Sequence, residues 1–191
     1  MTKSWRTMAL VFMTSLFVSA SAFSQYPSPV DIPIQNIPQE TPEWCWAAVA
    51  QQIILASVGL QQTPPQCALV AMANNAPPEV CCSGNPACVR TGSVQQIQFL
   101  IGRFGRHASS LAPPTDPFTL YNTLAANRPV ILQVMSGPGT THVVVLRGMS
   151  FVPTPQGPMP VLYINDPMAI YTQPVPYFNL LRIWVNAIVV N

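Results

Sequence analysis

Residues 38–53 read PQETPEWCWAAVAQQI. Two kinds of chain meet in this stretch. Up to Pro38 it belongs to a proline-rich run with Pro27, Pro29 and Pro33, which reads as an extended arm. From Trp46 it becomes helical. Ala47, Ala48 and Ala50 are good helix formers, and Ala50, Ile53, Ile54 and Val58 lie on one face at helical spacing. Gly59 is a stop signal, so the predicted helix runs from Trp46 to about Leu60. Cys45 stands between two tryptophans where that helix begins. A helix start leaves backbone N–H groups unpaired and favours negative charge. A thiol becomes a nucleophile only as its thiolate. A structural cysteine needs no such setting, and a reactive one does.

The other cysteines point the same way. The first 22 residues read as an export leader, with Lys3 and Arg6, the apolar run Met8–Val18 and the small-residue site Ala20-Ser21-Ala22. The run is shorter than the ~20 apolar residues a membrane span requires. Removal of the leader leaves 169 residues, the 191 of the chain less these 22, and takes the formal net charge from +2 to zero. The remaining chain contains no lysine, which argues against nucleic acid and against an anionic membrane surface as partners. A secreted or periplasmic protein meets an oxidising environment, where disulfides persist. Cys67, Cys81, Cys82 and Cys88 cluster, and Cys45 stands apart. The odd count flags a free thiol. Two bridges within the cluster and a free Cys45 is the economical solution. The neighbours Cys81 and Cys82 do not readily bond each other, and which of them meets Cys67 and which Cys88 stays open. A zinc site is the weaker reading, because His107 and His142 are the only histidines and thiolate zinc sites favour reducing compartments.

Hydrophobic residues make up 49% of the chain and charged residues 7%. Despite 22 prolines, that composition folds rather than staying disordered, and the length suits one domain. Three segments follow: the leader 1–22, the proline-rich arm 23–38 and a single domain 39–191. Further helices are expected at Pro64–Asn74, at Ser93–Phe104 with Ser93 as N-cap, and at Asp116–Ala126 with Asp116 as cap and Pro117 in the first turn. Ala76–Thr91 reads as a turn-rich loop pinned by cysteines. Strands are expected at Arg128–Val134, His142–Leu146, Val161–Ile164 and Leu181–Val190. The proline-rich stretch Ser150–Pro160 reads as an exposed loop. Helices first and strands after make an α+β fold with a mainly antiparallel sheet.

A nucleophilic cysteine needs a base within hydrogen-bond reach. His142 begins an apolar strand, a rigid place for a catalytic side chain, while His107 has no strand behind it. Asp166 follows the strand Val161–Ile164 and orients the imidazole if that strand pairs with the one bearing His142; Asn165 is the runner-up. An acyl transfer also needs donors for an oxyanion. The Cys45 N–H is one, and Gln39, six residues upstream, offers an amide side chain.

These segments resemble the papain-like cysteine peptidases. Gln39, five residues, then Cys45-Trp46-Ala47 are similar to that family's nucleophile segment; His142-Val-Val-Val-Leu-Arg-Gly148 is similar to its histidine strand, and Tyr163-Ile-Asn-Asp-Pro167 to the strand end bearing its third residue. The closer likeness is to small bacterial members, including avirulence effector peptidases of plant pathogens. The resemblance implies a papain-like α+β fold, a helical part with the nucleophile at the start of the central helix, and an antiparallel sheet carrying His and Asp. It also implies peptide-bond cleavage through an acyl-enzyme on Cys45, with His142 as base and then acid, Asp166 orienting it and Gln39 in the oxyanion hole. Trp44 and Trp46 read first as packing residues, Trp46 walling the helix start against the sheet, with Trp44 also a candidate substrate contact at the cleft rim. The substrate is a peptide or protein, and no cofactor is implied. Two rival readings share these motifs: a transglutaminase-like acyl transferase, and an inactive papain-like module that captures peptides. The cysteine cluster and the short chain depart from papain. Only 22 residues lie between the predicted cleavage site and Cys45, so activity is expected on folding unless a separate inhibitor protein intervenes.

Overall fold

The structure is a computed structural model that describes residues 26–104, 109–112 and 116–191. The leader and His107 lie outside these. In chain order the elements are β1 (Val30–Asp31), α1 (Cys45–Val58), α2 (Gln66–Ala73), α3 (Pro78–Cys82), α4 (Val94–Phe104), β2 (Ser109–Ala112), α5 (Pro117–Ala125), β3 (Val130–Gly137), β4 (Thr140–Thr154), β5 (Gly157–Asn165), β6 (Val175–Pro176), α6 (Tyr177–Leu181) and β7 (Trp184–Val190).

α1 is the central helix. Trp46 to Ala50 are all buried, and so are Gln52, Ile53 and Ile54. A helix buried on most sides packs against several partners rather than showing one apolar stripe, and α1 contacts α2, α4 and β4. Gly59, at φ +81°, ends it, with its N–H on the Leu55 carbonyl. α4 is a one-faced helix that buries Ile97, Leu100 and Ile101. Its start is a reciprocal cap, Ser93 Oγ accepting from Gln96 N–H at 3.2 Å and Gln96 Oε1 from Ser93 N–H at 2.9 Å. At α5, Asp116 Oδ1 accepts the N–H groups of Phe118 and Thr119, each at 3.0 Å.

Seven strands of the described residues form one sheet, ordered β2-β7-β3-β4-β5-β6, with β1 also on β4. Each recorded pairing is antiparallel. Val143, Val144, Val145 and Leu146 are buried in succession, so both faces of β4 are covered there. The fold is the papain-like α+β arrangement, with helices first and the antiparallel sheet after.

Three expectations change. Ser150–Pro160 is not a loop: β4 and β5 stay paired from Ser150↔Val161 to Thr154↔Gly157. Pro155 sits in the turn, where Gly157 takes φ +111°, while Pro153 and Pro158 face each other across the hairpin and Pro160 pairs with Phe151. Leu181–Val190 is not one strand, because Leu181 ends α6, which buries Leu180, and β7 begins only at Trp184. The loop Ala76–Thr91 contains α3 and a 3-10 turn at Pro86–Cys88. The cluster pairs as Cys67–Cys82 and Cys81–Cys88, and Cys45 is a free thiol. The first bridge joins α2 to α3, and the second fastens α3 to the segment that leads into α4.

The arm is stitched to the sheet. Ile32 N–H donates to Arg147 O at 2.8 Å, and the Arg147 guanidinium reaches Asp31 and, at 3.0 Å, Asn165 Oδ1. A Cβ at position 148 would lie 2.3 Å from Val30 O, so only glycine lets the arm approach β4 this closely.

Candidate active site

The sequence begins a helix at Cys45, and the geometry follows from that. As the first residue of α1, Cys45 has a backbone N–H among the four that lack an intrahelical acceptor. Its side chain is half-buried at the edge of a cleft of ≈ 390 Å³. Cys45, Trp46, Thr91, Gly92, His142 and Met168 are among the residues that line it.

His142 comes from β4, opposite Val134 of β3, and is 3% exposed. Its Nε2 meets Asp166 Oδ1 at 2.7 Å. The ring and the Cys45 side chain line the same cleft, and since Nε2 faces Asp166, Nδ1 is the nitrogen left for sulfur. Burial opposes a charge on this imidazole. The hydrogen bonds with Asp166 and Cys45, and the charges of both, outweigh burial and raise its pKa from 6.5 to about 9.

Asp166 is the first residue past β5, and the register Val145↔Asn165 brings it to the His142 side of β4. It is 1% exposed. Besides His142, Oδ1 accepts Met168 N–H at 2.8 Å, and Oδ2 accepts Ile170 N–H at 2.8 Å and Tyr171 N–H at 2.9 Å. Burial disfavours the carboxylate, but the His142 bond and these N–H donors overcome it and hold the pKa below the usual range. Asn165 serves the arm instead. Its Nδ2 donates to Ile34 O at 2.8 Å and its Oδ1 accepts from Arg147.

Two expected site residues are not in the cleft. Trp44 is 5% exposed, and its indole N–H donates to Cys88 O at 2.9 Å. It packs the disulfide loop against α1 and offers no face to a substrate. Trp46 is the tryptophan that lines the cleft, and its N–H donates to Arg90 O at 3.2 Å. The two indoles thus hold the segment 88–92 as a wall beside Cys45. Gly92 lies so close to the Trp46 ring that a Cβ there would sit 2.2 Å from it. Gln39 Nε2 donates to Thr41 O at 2.7 Å and Pro42 O at 2.8 Å, so both amide protons are engaged within its own loop. Sequence reasoning missed the wall at Thr91 and Gly92. Its one local signal was a glycine between the cysteine cluster and the Ser93 cap.

A free thiol at the start of a central helix, an imidazole from a strand and a carboxylate from the next strand are the components of a papain-like cysteine peptidase. Residues 27–179 match the family described as papain-like cysteine protease AvrRpt2, and the chain belongs to that family. Comparison with curated proteins found no match. Among solved structures, 68 chains match. One is a C39-like peptidase from Bacillus anthracis, with a TM-score of 0.58 and 14% identity over 86% of this chain and 98% of the other. At that identity the likeness concerns the fold.

Proposed function

We propose that the protein is an exported peptidase that cleaves peptide bonds of a protein or peptide substrate through an acyl-enzyme on Cys45. One observation carries this reading: the free Cys45 thiol and the His142 ring line one open cleft, and the ring's Nε2 is bound to a buried carboxylate. The attacking species is the thiolate, its proton carried by His142. Sulfur attacks the scissile carbonyl carbon, and the Cys45 N–H donates to the developing oxyanion. Nδ1–H of His142 protonates the departing amine, leaving a thioester. His142 then takes a proton from water, which attacks the thioester and releases the acid and the thiolate. Asp166 keeps the ring oriented and offsets its charge. Gln39 supplies a second oxyanion donor only by turning its amide away from Thr41 and Pro42.

Labelling with a peptidyl epoxide tests the site. Stoichiometric modification at Cys45, abolished by His142→Ala, is the expected result. A folded sample that stays unmodified sinks the reading and favours a peptide-capturing module. Export is supported by the leader and by the two bridges in the cysteine cluster. N-terminal sequencing of protein from the culture medium or periplasm should find the chain starting at Phe23.

A further inference from the structure

A second chain of side chains joins α1 to the Asp166 turn, and the chemistry above does not use it. Gln52 stands seven residues after Cys45 on α1, two turns along nearly the same face. It is 0% exposed. Its Nε2 donates to Asn36 Oδ1 and to Ile37 O, both at 3.1 Å. Asn36 Nδ2 donates in turn to the backbone oxygen of Asp166 at 3.1 Å. The sense of each amide is fixed by its neighbours. Turning Gln52 over would set its Oε1 against two acceptors, and with Asn36 Oδ1 facing Gln52, only Nδ2 is left for Asp166. A glutamine buried this completely on α1 needs such partners, because a lone buried amide is costly.

The Asp166 carboxylate takes its direction from the N–H groups of residues 168, 170 and 171, so it moves with its turn. The arm anchors that turn in three places. Asn165 Nδ2 donates to Ile34 O, Gln39 N–H donates to Pro167 O at 3.2 Å, and Asn36 donates to Asp166 itself. The Asn36 link leads on through a side chain to the helix that carries Cys45. The path therefore closes on itself: Cys45 and His142 line one cleft, and His142, Asp166, Asn36 and Gln52 are linked in turn back to α1.

We propose that Asn36 and Gln52 are positioning residues that hold the Asp166 turn at a fixed distance from the start of α1, so that the His142 ring is gripped between carboxylate and sulfur. This rests on the roles proposed above for Cys45, His142 and Asp166. Nothing in it requires either amide to touch substrate.

Asn36 is exposed, so Asn36→Ala leaves the core intact, and Gln52→Met removes the donor while keeping the bulk. For each variant kcat should fall about tenfold with KM within about twofold, the signature of misalignment rather than lost binding. The double variant should be no worse than either single one, because the residues act in series. A readout independent of catalysis is the ring titration by NMR, where His107 is the only other histidine. The His142 midpoint, about 9 in the unaltered protein, should move toward its ordinary value in both variants. An unchanged midpoint and kcat in Asn36→Ala, whatever happens to Tm, would overturn the proposal, as would single effects that multiply. If the unaltered protein neither cleaves peptides nor labels at Cys45, the functional reading fails by itself. The NMR midpoints still decide whether these amides position the ring.

Discussion

The two halves of the site are built by different means. Residues 45–92 carry the nucleophile on the buried helix α1, beside shorter helices held by two disulfides and by single hydrogen bonds from Trp44 and Trp46. Apart from α1 these helices are too short to persist unaided. Residues 130–190 carry the base on a ladder whose central residues, Ile131, Leu132, Val144 and Val145, are at most 1% exposed. Both halves share one hydrophobic core, but only the helical half adds covalent staples to it. The enzyme thus asks two opposite things of its surroundings: sulfurs oxidised at four positions and reduced at the fifth.

The largest effect should come from the point where the halves meet. Cys45→Ala should lower kcat/KM by at least about 10⁴-fold, or about 5.5 kcal/mol of transition-state stabilisation. Its Tm should stay close to that of the parent, since the side chain is only half-buried. Residual peptidase activity within tenfold of the parent would place the nucleophile elsewhere.

Asp166→Asn acts on the sheet half and should cost about 10²–10³-fold. The His142 pKa of about 9 sets the alkaline limb of kcat/KM, where the imidazolium is lost. Without the Asp166 carboxylate that limb should move to lower pH. The sign for stability is separate. His142 has a raised pKa, so its contribution is complete below about pH 6.5 and fades as pH rises through about 9. Asp166 has a lowered pKa, so its contribution is present above the usual carboxylate range and is lost only as pH falls below it. Tm should therefore decline from pH 6.5 to 9 in the parent, and less steeply in His142→Ala. Parallel profiles for the two proteins would detach His142 from Asp166.

Opening the staples tests the helical half. Cys67 and Cys82 are 15 residues apart, a loop whose closure stabilises by about 3 kcal/mol. In Cys67→Ala/Cys82→Ala, hydrogen exchange should accelerate first across 66–92, while β3, β4 and β5 keep their protection. Reductant should lower activity in the parent only as the bridges open, since Cys45 is already a free thiol. Simultaneous loss of protection in both halves would mean that the staples support the whole domain.

How much of this the sequence disclosed follows the same division. Local patterns carried the helices: alanines and Gly59 bound α1, Asp116-Pro117 starts α5, and Ser93 caps α4. The runs at Val130–Val134 and His142–Leu146 marked the sheet, and the segments bearing Cys45, His142 and Asp166 are the ones brought together. What escaped depends on non-local pairing. The prolines between 150 and 160 resemble a loop until β5 is seen alongside β4. The pairing of Cys81 and Cys82 depends on which way α3 faces. Asn36 and Gln52 are ordinary amides until the arm lies across α1. Gln39 has the expected spacing, yet two nearby carbonyls take its protons, which no spacing reveals.

The smallest effect concerns Trp44, which the sequence offered as a rim contact and which the structure bonds to the disulfide loop. Trp44→Phe removes the bond to Cys88 O and some bulk, a loss of about 1–2 kcal/mol, or about 2–8 °C in Tm for a domain of this size. KM should stay within about twofold, because the ring faces the disulfide loop and not the cleft. A tryptophan on the rim would behave in the opposite way, with KM rising and Tm hardly moving. The wall 88–92 should keep its place in Trp44→Phe, since Trp46 still donates to Arg90 O and the Cys81–Cys88 bridge still fixes the other end.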